Sequence, residues 1–223
     1  DGEKALAGGT ISAPLETLLT ENLVIQIDGG KGRVQRHLEP AAQQVRQQFE
    51  TNVFGLISVT RAVLPYMRQQ RSGQIYNLSS IGGAIGFAAA SVYCASKFAV
   101  EGFSESLAQE VEQFGISVTI VQPGFFRTDF LDTTSAKYGN EQVADYSEYA
   151  TSANTAYQRM NHHQAGAPAK LAAALVKLSD APQRPLRLAA GSDAIEYLTG
   201  AYKRRQKELL TWYDWSVSTD IDN

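Results

Sequence analysis

Gly73-Gln74-Ile75-Tyr76-Asn77-Leu78-Ser79-Ser80 is followed, ten residues on, by Ser91-Val92-Tyr93-Cys94-Ala95-Ser96-Lys97. The first stretch reads as a buried strand, bounded by glycine before it and by Ile81-Gly82-Gly83 after it. The second opens an amphipathic stretch predicted helical to about Phe114. A strand that ends in a hydroxyl and feeds a helix is the basic unit of an open parallel sheet, where ligands bind beyond the carboxyl ends of the strands.

Outward from this unit the same alternation continues. Leu23 to Ile27, Ile116 to Val121 and Leu186 to Ala190 are further strands, and they end at Asp28-Gly29-Gly30-Lys31-Gly32, Pro123-Gly124 and Gly191 respectively. Helices are predicted at about Ala41 to Gln70, Ala169 to Leu178 and Asp193 to Trp215, with a bend expected at Pro65. The fold class is therefore α/β, a doubly wound and mostly parallel sheet in one domain over 1–223. Residues 129–168 lack strong periodicity and exceed an ordinary connection, so they read as a substrate-lid loop; 193–223 read as a C-terminal helical extension.

Composition narrows the function. The 223 residues are 43% hydrophobic, enough for one α/β core, and the formal charge of −3 with no Lys/Arg block gives no footprint for nucleic acid. Cys94 is the only cysteine, so an intrachain disulfide is excluded and a cytoplasmic location is expected. No run approaches the length of a membrane span, and Asp1 to Ala7 lack the order of a signal peptide. A soluble protein acting on a small molecule is expected.

Hydride transfer to a carbonyl leaves negative charge on oxygen, which calls for a proton donor and a hydrogen bond aimed at that oxygen. A tyrosine, with an ordinary pKa of about 10, can serve near neutrality when a cation favours its phenolate. Residues at i and i+4 share a helix face, and among the ten tyrosines Tyr93 alone has a lysine, Lys97, four residues later. The plain alternative is a half-buried helix tyrosine beside a solvated lysine. Ser80 stands where it can hold the substrate oxygen. Its plain alternative is a turn or N-cap serine before Gly82-Gly83, a role Ser79 fits better.

These two stretches, thirteen residues apart from Ser80 to Tyr93, resemble the active site of the short-chain dehydrogenase/reductase family. Asn52-Val53-Phe54-Gly55 is similar to the family's Asn-x-x-Gly, and Pro123-Gly124-Phe125-Phe126-Arg127-Thr128 to its Pro-Gly-x-x-x-Thr. The resemblance implies a Rossmann-type fold, NAD or NADP as cofactor, and an oxidoreductase interconverting an alcohol and a ketone or aldehyde. By the same resemblance Tyr93 is the acid/base, Lys97 assists it and anchors the ribose, Ser80 orients the carbonyl, and Asn52 supports a proton relay. The Pro123-Gly124 turn backbone then lies beside the nicotinamide, and Thr128 bonds its carboxamide or the pyrophosphate. Pairing through the long helices, as a homodimer or homotetramer, is also implied, and the nearest branch includes steroid and retinol dehydrogenases.

The family's glycine-rich pyrophosphate loop is absent, and about one βα unit is missing between Asp28 and Gly30, so part of the N-terminal nucleotide-binding half is expected to be lacking from the chain. Gly9 to Ala13 resembles the second strand and Leu23 to Asp28 the third, with Asp28 on the adenine and Gly30 in the next cofactor motif. The run from Asp28 to Gly32 lacks the spacing of an independent phosphate loop.

On the substrate side, Phe87, Phe125, Phe126 and Phe130 form a candidate apolar wall, with Tyr138, Tyr146, Tyr149 and Tyr157 in the lid. A small, hydrophobic alcohol or carbonyl suits them. His162-His163 is not expected to bind metal, since adjacent histidines diverge and no acidic or cysteine cluster accompanies them in sequence. Lys203 to Lys207 is read as a solvated face. Two other functions are weighed against the enzyme. One is a non-catalytic Rossmann-type protein that senses nucleotide or binds a partner, discriminated by assaying NADH and NADPH oxidation. The other is a nucleotide-sugar epimerase or dehydratase, disfavoured by the short C-terminal region.

Overall fold

The computed structural model describes residues 23–26, 34–36, 42–132, 136–138 and 144–221. Their sheet is parallel, as the alternation predicts. β1 (Leu23–Gln26) lies beside β3 (Gly73–Leu78), β3 beside β4 (Ile116–Pro123), and β4 beside β6 (Arg187–Ala190). The β1–β3 register runs from Leu23↔Gln74 to Gln26↔Asn77, so β1 is directly next to the serine-bearing strand. A separate parallel pair joins β2 (Val34–Arg36) to β5 (Ala136–Tyr138). The readings of Gly9 to Ala13, Asp28 and Gly30 lie outside the described residues.

Helices cover both faces of this sheet, which is why its strands read as apolar runs rather than as alternating ones. Ile75 and Tyr76 are adjacent in β3 and point to opposite faces. Ile75 packs with Val118 of β4 and with Val63, Met67, Leu107 and Val111 from two helices, α2 (Gly55–Gln70) and α3 (Ser91–Val111). Tyr76 packs with Val121, Ala190 and Leu175 of α5 (Pro168–Ser179). Pro168 suits the first turn of that helix, where its missing N–H costs nothing.

The predicted helix from Ala41 to Gln70 is one rod with a change of register inside it. α1 (Ala42–Phe49) passes through a π-helical turn, Glu50–Phe54, into α2, and the α-helix continues through Pro65. The irregularity thus falls on the turn carrying Asn52, and π turns are over-represented at functional sites.

Residues 129–168 contain more regular structure than the expected loop. α4 (Ser147–Met160) lies within them. Its sequence hides it because Thr151, Ser152, Asn154 and Thr155 are weak helix formers. In place the threonine hydroxyls bond one turn back, Thr151 Oγ1 to the Ser147 carbonyl and Thr155 Oγ1 to the Thr151 carbonyl, both at 2.8 Å.

The C-terminal extension is α6 (Ser192–Thr211) and α7 (Tyr213–Val217). Ala194, Leu198 and Ala201 bury the first half of α6, whereas every described residue from Tyr202 onward is exposed. Lys203 and its basic neighbours are solvated, although Arg205 also donates to the Ala84 carbonyl and stacks over Phe98.

Glu101 ties three elements together. From α3 its carboxylate accepts from Gln122 Nε2 of β4 at 2.9 Å and from Arg187 Nε of β6 at 3.1 Å, and Arg187 also reaches Glu105 at 2.7 Å. Burial would lower the Arg187 pKa, but the hydrogen bonds from Glu105 and Glu101 prevail and raise it.

Candidate active site

β3 delivers the hydroxyls. Ser79 N–H donates to the Val121 carbonyl at 2.8 Å, which carries the parallel pairing one residue past the strand and fixes the chain at the sheet's carboxyl edge. Ser80 is extended and caps the short 3₁₀ turn Ile81–Gly83, its Oγ accepting from Gly82 N–H at 3.0 Å. The capping role therefore belongs to Ser80 and not, as the sequence suggested, to Ser79. The hydroxyl two residues before the accessible N–H is the one that reaches it. The bond occupies a lone pair on Ser80 and leaves its hydroxyl hydrogen able to donate. Ser79 Oγ is buried against Gly83, where an added Cβ would lie 2.3 Å from it, and has no hydrogen-bond partner.

α3 brings Tyr93 and Lys97 to the same place. Tyr93 lies in its first turn, with the ring edge-on to Phe130 at 5.6 Å. Lys97 is 0% exposed, donates from Nζ to the Leu78 carbonyl at 2.9 Å, and has that nitrogen 5.9 Å from the Tyr93 ring centre. The alternative of a solvated lysine is overturned. A buried ammonium is costly, and the hydrogen bond to the end of β3 is part of what offsets it.

Asn52 is 2% exposed and connects to this turn through a residue the sequence reading passed over. Its Nδ2 donates to Ser96 Oγ at 2.9 Å, and Ser96 Oγ donates to the Tyr93 carbonyl at 2.7 Å. The Asn52 Oδ1 is buried without a hydrogen-bond partner. A small hydroxyl residue between Tyr93 and Lys97 was the available signal for Ser96.

Ser80 and Tyr93 line a cleft of about 200 Å³; Lys97 and Asn52 are not among its lining residues and reach Tyr93 through the contacts above. Pro123, Gly124 and Thr128 line the same cleft, with all four phenylalanines of the expected apolar wall. Gly124 N–H donates to the Ala190 carbonyl at 3.0 Å, and Phe125 N–H donates to Asp193 Oδ2 at 2.6 Å. A Cβ on Gly124 would come within 2.4 Å of that carboxylate, so a side chain there would have to displace Asp193. Asp193, unmarked in the sequence, thus couples α6 to the Pro123-Gly124 turn. Thr128 is exposed, and its Oγ1 accepts from Phe130 N–H at 3.3 Å.

Of the lid tyrosines, Tyr157 lines the cleft and donates to the Ala88 carbonyl at 3.3 Å; Tyr146 and Tyr149 are exposed. His162 has acidic company that its sequence neighbours do not show. Asp129, Asp132 and His162 place one ligand atom each within 4.8 Å of one another, although Asp132 and His162 are thirty residues apart in sequence. Asp132 already pairs with His162 at 3.0 Å and with Asn161 at 2.5 Å.

Gly124 of the glycine turn and Tyr93, beside the buried Lys97, line one cleft, a residue set compatible with the nicotinamide end of a dinucleotide. No helix among the described residues is long and apolar enough to cross a membrane.

Comparisons with known proteins identify the family. The family model for the short chain dehydrogenases matches residues 22–152, more than half of the chain. Oxidoreductase BOA17 of Botryotinia fuckeliana is 40% identical over 77% of this chain and 62% of its own. A 3-ketodihydrosphingosine reductase of Bacteroides thetaiotaomicron is 41% identical over 67% and 55%, and retinol dehydrogenase 8 of Bos taurus 35% over 62% and 46%. The chain thus spans about half to three fifths of the length of these relatives. A short-chain dehydrogenase structure from Streptomyces avermitilis superposes with a TM-score of 0.77 at 38% identity, covering 92% of this chain and 75% of that one. Proteins of this kind use NAD or NADP, the cofactors expected from the motifs. The chain belongs to the short-chain dehydrogenase family.

Proposed function

We propose that the protein is an NAD(P)-dependent oxidoreductase that interconverts an apolar alcohol and its ketone or aldehyde, with Tyr93 as acid/base. The observation that carries this reading is the fully buried Lys97 ammonium beneath a tyrosine on the cleft wall. A protein that only senses a nucleotide has no use for a desolvated cation there, whereas proton transfer does.

When bound, the nicotinamide supplies or accepts the hydride. Tyr93 gives its phenolic proton to the oxygen on which charge develops. Ser80, with a lone pair already held by Gly82 N–H, donates its hydroxyl hydrogen to the same oxygen. Lys97 steadies the negative charge left on Tyr93, and its bond to Leu78 prevents it from swinging away. Asn52, through Ser96, holds the carbonyl of Tyr93 and so the pitch of the first turn of α3. Phe87, Phe125, Phe126 and Phe130 exclude water and suit a hydrophobic substrate. Two relatives are named for 3-ketodihydrosphingosine and retinol, both largely apolar.

The segment 129–168 acts as the substrate lid in this reading, with Tyr157 at its inner face. Exposed Phe54 and Tyr66 on the rod ending in α2, with Phe98 on α3, support pairing of two or four copies through these helices. Cys94 is a buried thiol, which suits a reducing, cytoplasmic location. The test is cofactor oxidation at 340 nm over a panel of apolar ketones with NADH and with NADPH. Substrate-dependent turnover supports the proposal; its absence throughout the panel defeats it.

A further inference from the structure

Tyr197 is a large side chain of α6 that the chemistry above does not use. It is 44% exposed and is not among the residues that line the cleft, yet its ring meets two of the phenylalanines that are. The ring centres of Phe87 and Tyr197 are 6.0 Å apart, those of Phe125 and Tyr197 6.0 Å, and those of Phe87 and Phe125 6.5 Å. All three pairs meet edge to face, at 68° to 72°, an arrangement that aromatic rings favour. Phe87 follows the turn that ends β3 and Phe125 the turn that ends β4, so a ring from the C-terminal extension joins the two loops.

One face of α6 is given over to these loops. Asp193, one helical turn before Tyr197, accepts from Phe125 N–H at 2.6 Å. Ala194 and Leu198 are buried with Ile81 and Ala84, and Phe87 and Phe125 pack against this cluster. Further along the helix, Arg205 donates to the Ala84 carbonyl. The Phe87 carbonyl accepts from Ala90 N–H at 3.2 Å. The backbone is therefore held at both phenylalanines, and what remains adjustable is the direction of each ring. Tyr197 touches both rings without reaching the cleft surface, so truncating it opens space beside the pair into which either ring can turn.

We propose that Tyr197 is a positioning residue that sets substrate size: by holding the rings of Phe87 and Phe125 it limits the width of the apolar group admitted to the cleft they share with Ser80 and Tyr93. This rests on the oxidoreductase reading of the same cleft, and it places one determinant of specificity on α6, outside the cleft lining. In an apolar pocket a difference of one methylene group changes specificity by about ten- to two-hundredfold, so a change in ring direction is large enough to be read in kcat/KM.

The test compares wild type with Tyr197→Ala, Tyr197→Leu and Tyr197→Phe on pairs of ketones that differ only in a phenyl or a 2-naphthyl group. In Tyr197→Ala the naphthyl-to-phenyl ratio of kcat/KM is expected to rise by about tenfold, while the Kd for NADH or NADPH stays within about twofold of wild type. Tyr197→Leu, smaller and not planar, should move the ratio in the same direction. Tyr197→Phe keeps the ring and should keep the wild-type ratio. An unchanged or lowered ratio in Tyr197→Ala, an equal loss on both members of each pair, or a Tyr197→Phe as altered as Tyr197→Ala overturns the assignment. Failure of both Tyr197→Ala and Tyr197→Leu to fold, read by circular dichroism, makes Tyr197 a residue of the fold alone and overturns it as well. These outcomes leave the oxidoreductase reading standing. A wild type that reduces none of the ketones with either cofactor defeats that reading itself, and the role of Tyr197 with it.

Discussion

The Lys97 ammonium donates to the Leu78 carbonyl oxygen at 2.9 Å, so the first turns of α3 are tied to the residue that precedes the Ser79-Ser80 end of β3. The two sequence stretches that carry the site are joined by this bond. Removing it removes both an anchor and a charge. Lys97→Met is expected to lose about a hundredfold or more in kcat/KM, and the rising limb of its pH profile for alcohol oxidation should move to higher pH, because no cation then favours the phenolate. Steady-state rates across pH check both; a profile that stays in place contradicts the role of the charge.

Ser80 carries a structural bond and, in the proposed reaction, a catalytic one. Ser80→Ala should lower kcat by about a hundredfold, and the lost cap to Gly82 should cost about 1 kcal/mol in denaturant unfolding. A stability loss with no loss of rate would show that capping is its whole function.

At Gly124 a side chain would meet the Asp193 carboxylate. Gly124→Ala sets a Cβ against the Asp193 carboxylate, so a loss of about 1–3 kcal/mol is expected with weakened cofactor binding. Asp193→Ala should reverse part of the stability loss in the double variant, read by a double-mutant cycle. Additive effects would mean that the two positions do not meet.

Glu101 holds α3, β4 and β6 at one point. Glu101→Ala leaves Gln122 without its acceptor and Arg187 with one carboxylate in place of two, and should cost about 2–3 kcal/mol with the cleft residues unchanged. Thermal unfolding measures it.

Burial raises the Tyr76 pKa above its ordinary value; Asp180 adds to this, and the nearby Arg184 charge works against it. The unfolded chain loses this proton at lower pH than the folded one. Stability is therefore complete below about pH 10 and falls as pH rises from there through the folded value. Tyr76→Phe should flatten that alkaline fall, followed by denaturant melts at successive pH values.

Strand and helix positions near the site were legible because parallel strands buried on both faces leave unmistakable apolar runs. Ile116 to Val121 was read from sequence, and the strand extends only to Pro123. Tyr93 and Lys97 were legible from spacing, Ser80 from its place at the end of a strand and Asn52 from the family resemblance; Ser80 and Tyr93 line one cleft, and Lys97 and Asn52 contact the Tyr93 turn. What escaped depends on contacts distant in sequence. Ser96 bridges to Asn52 across forty-four residues, and Asp193 reaches Phe125 across sixty-eight. α4 escaped for a different reason, since its threonines and serine argue against a helix until their hydroxyls find carbonyls one turn back.

The most direct measurement of the central claim is the turnover of Tyr93→Phe beside its cofactor affinity, the latter from quenching of intrinsic fluorescence by NADH and NADPH. Loss of at least about a thousandfold in kcat with a Kd within about threefold of wild type is the predicted result, since only the proton donor has been removed. Turnover close to wild type would contradict the account.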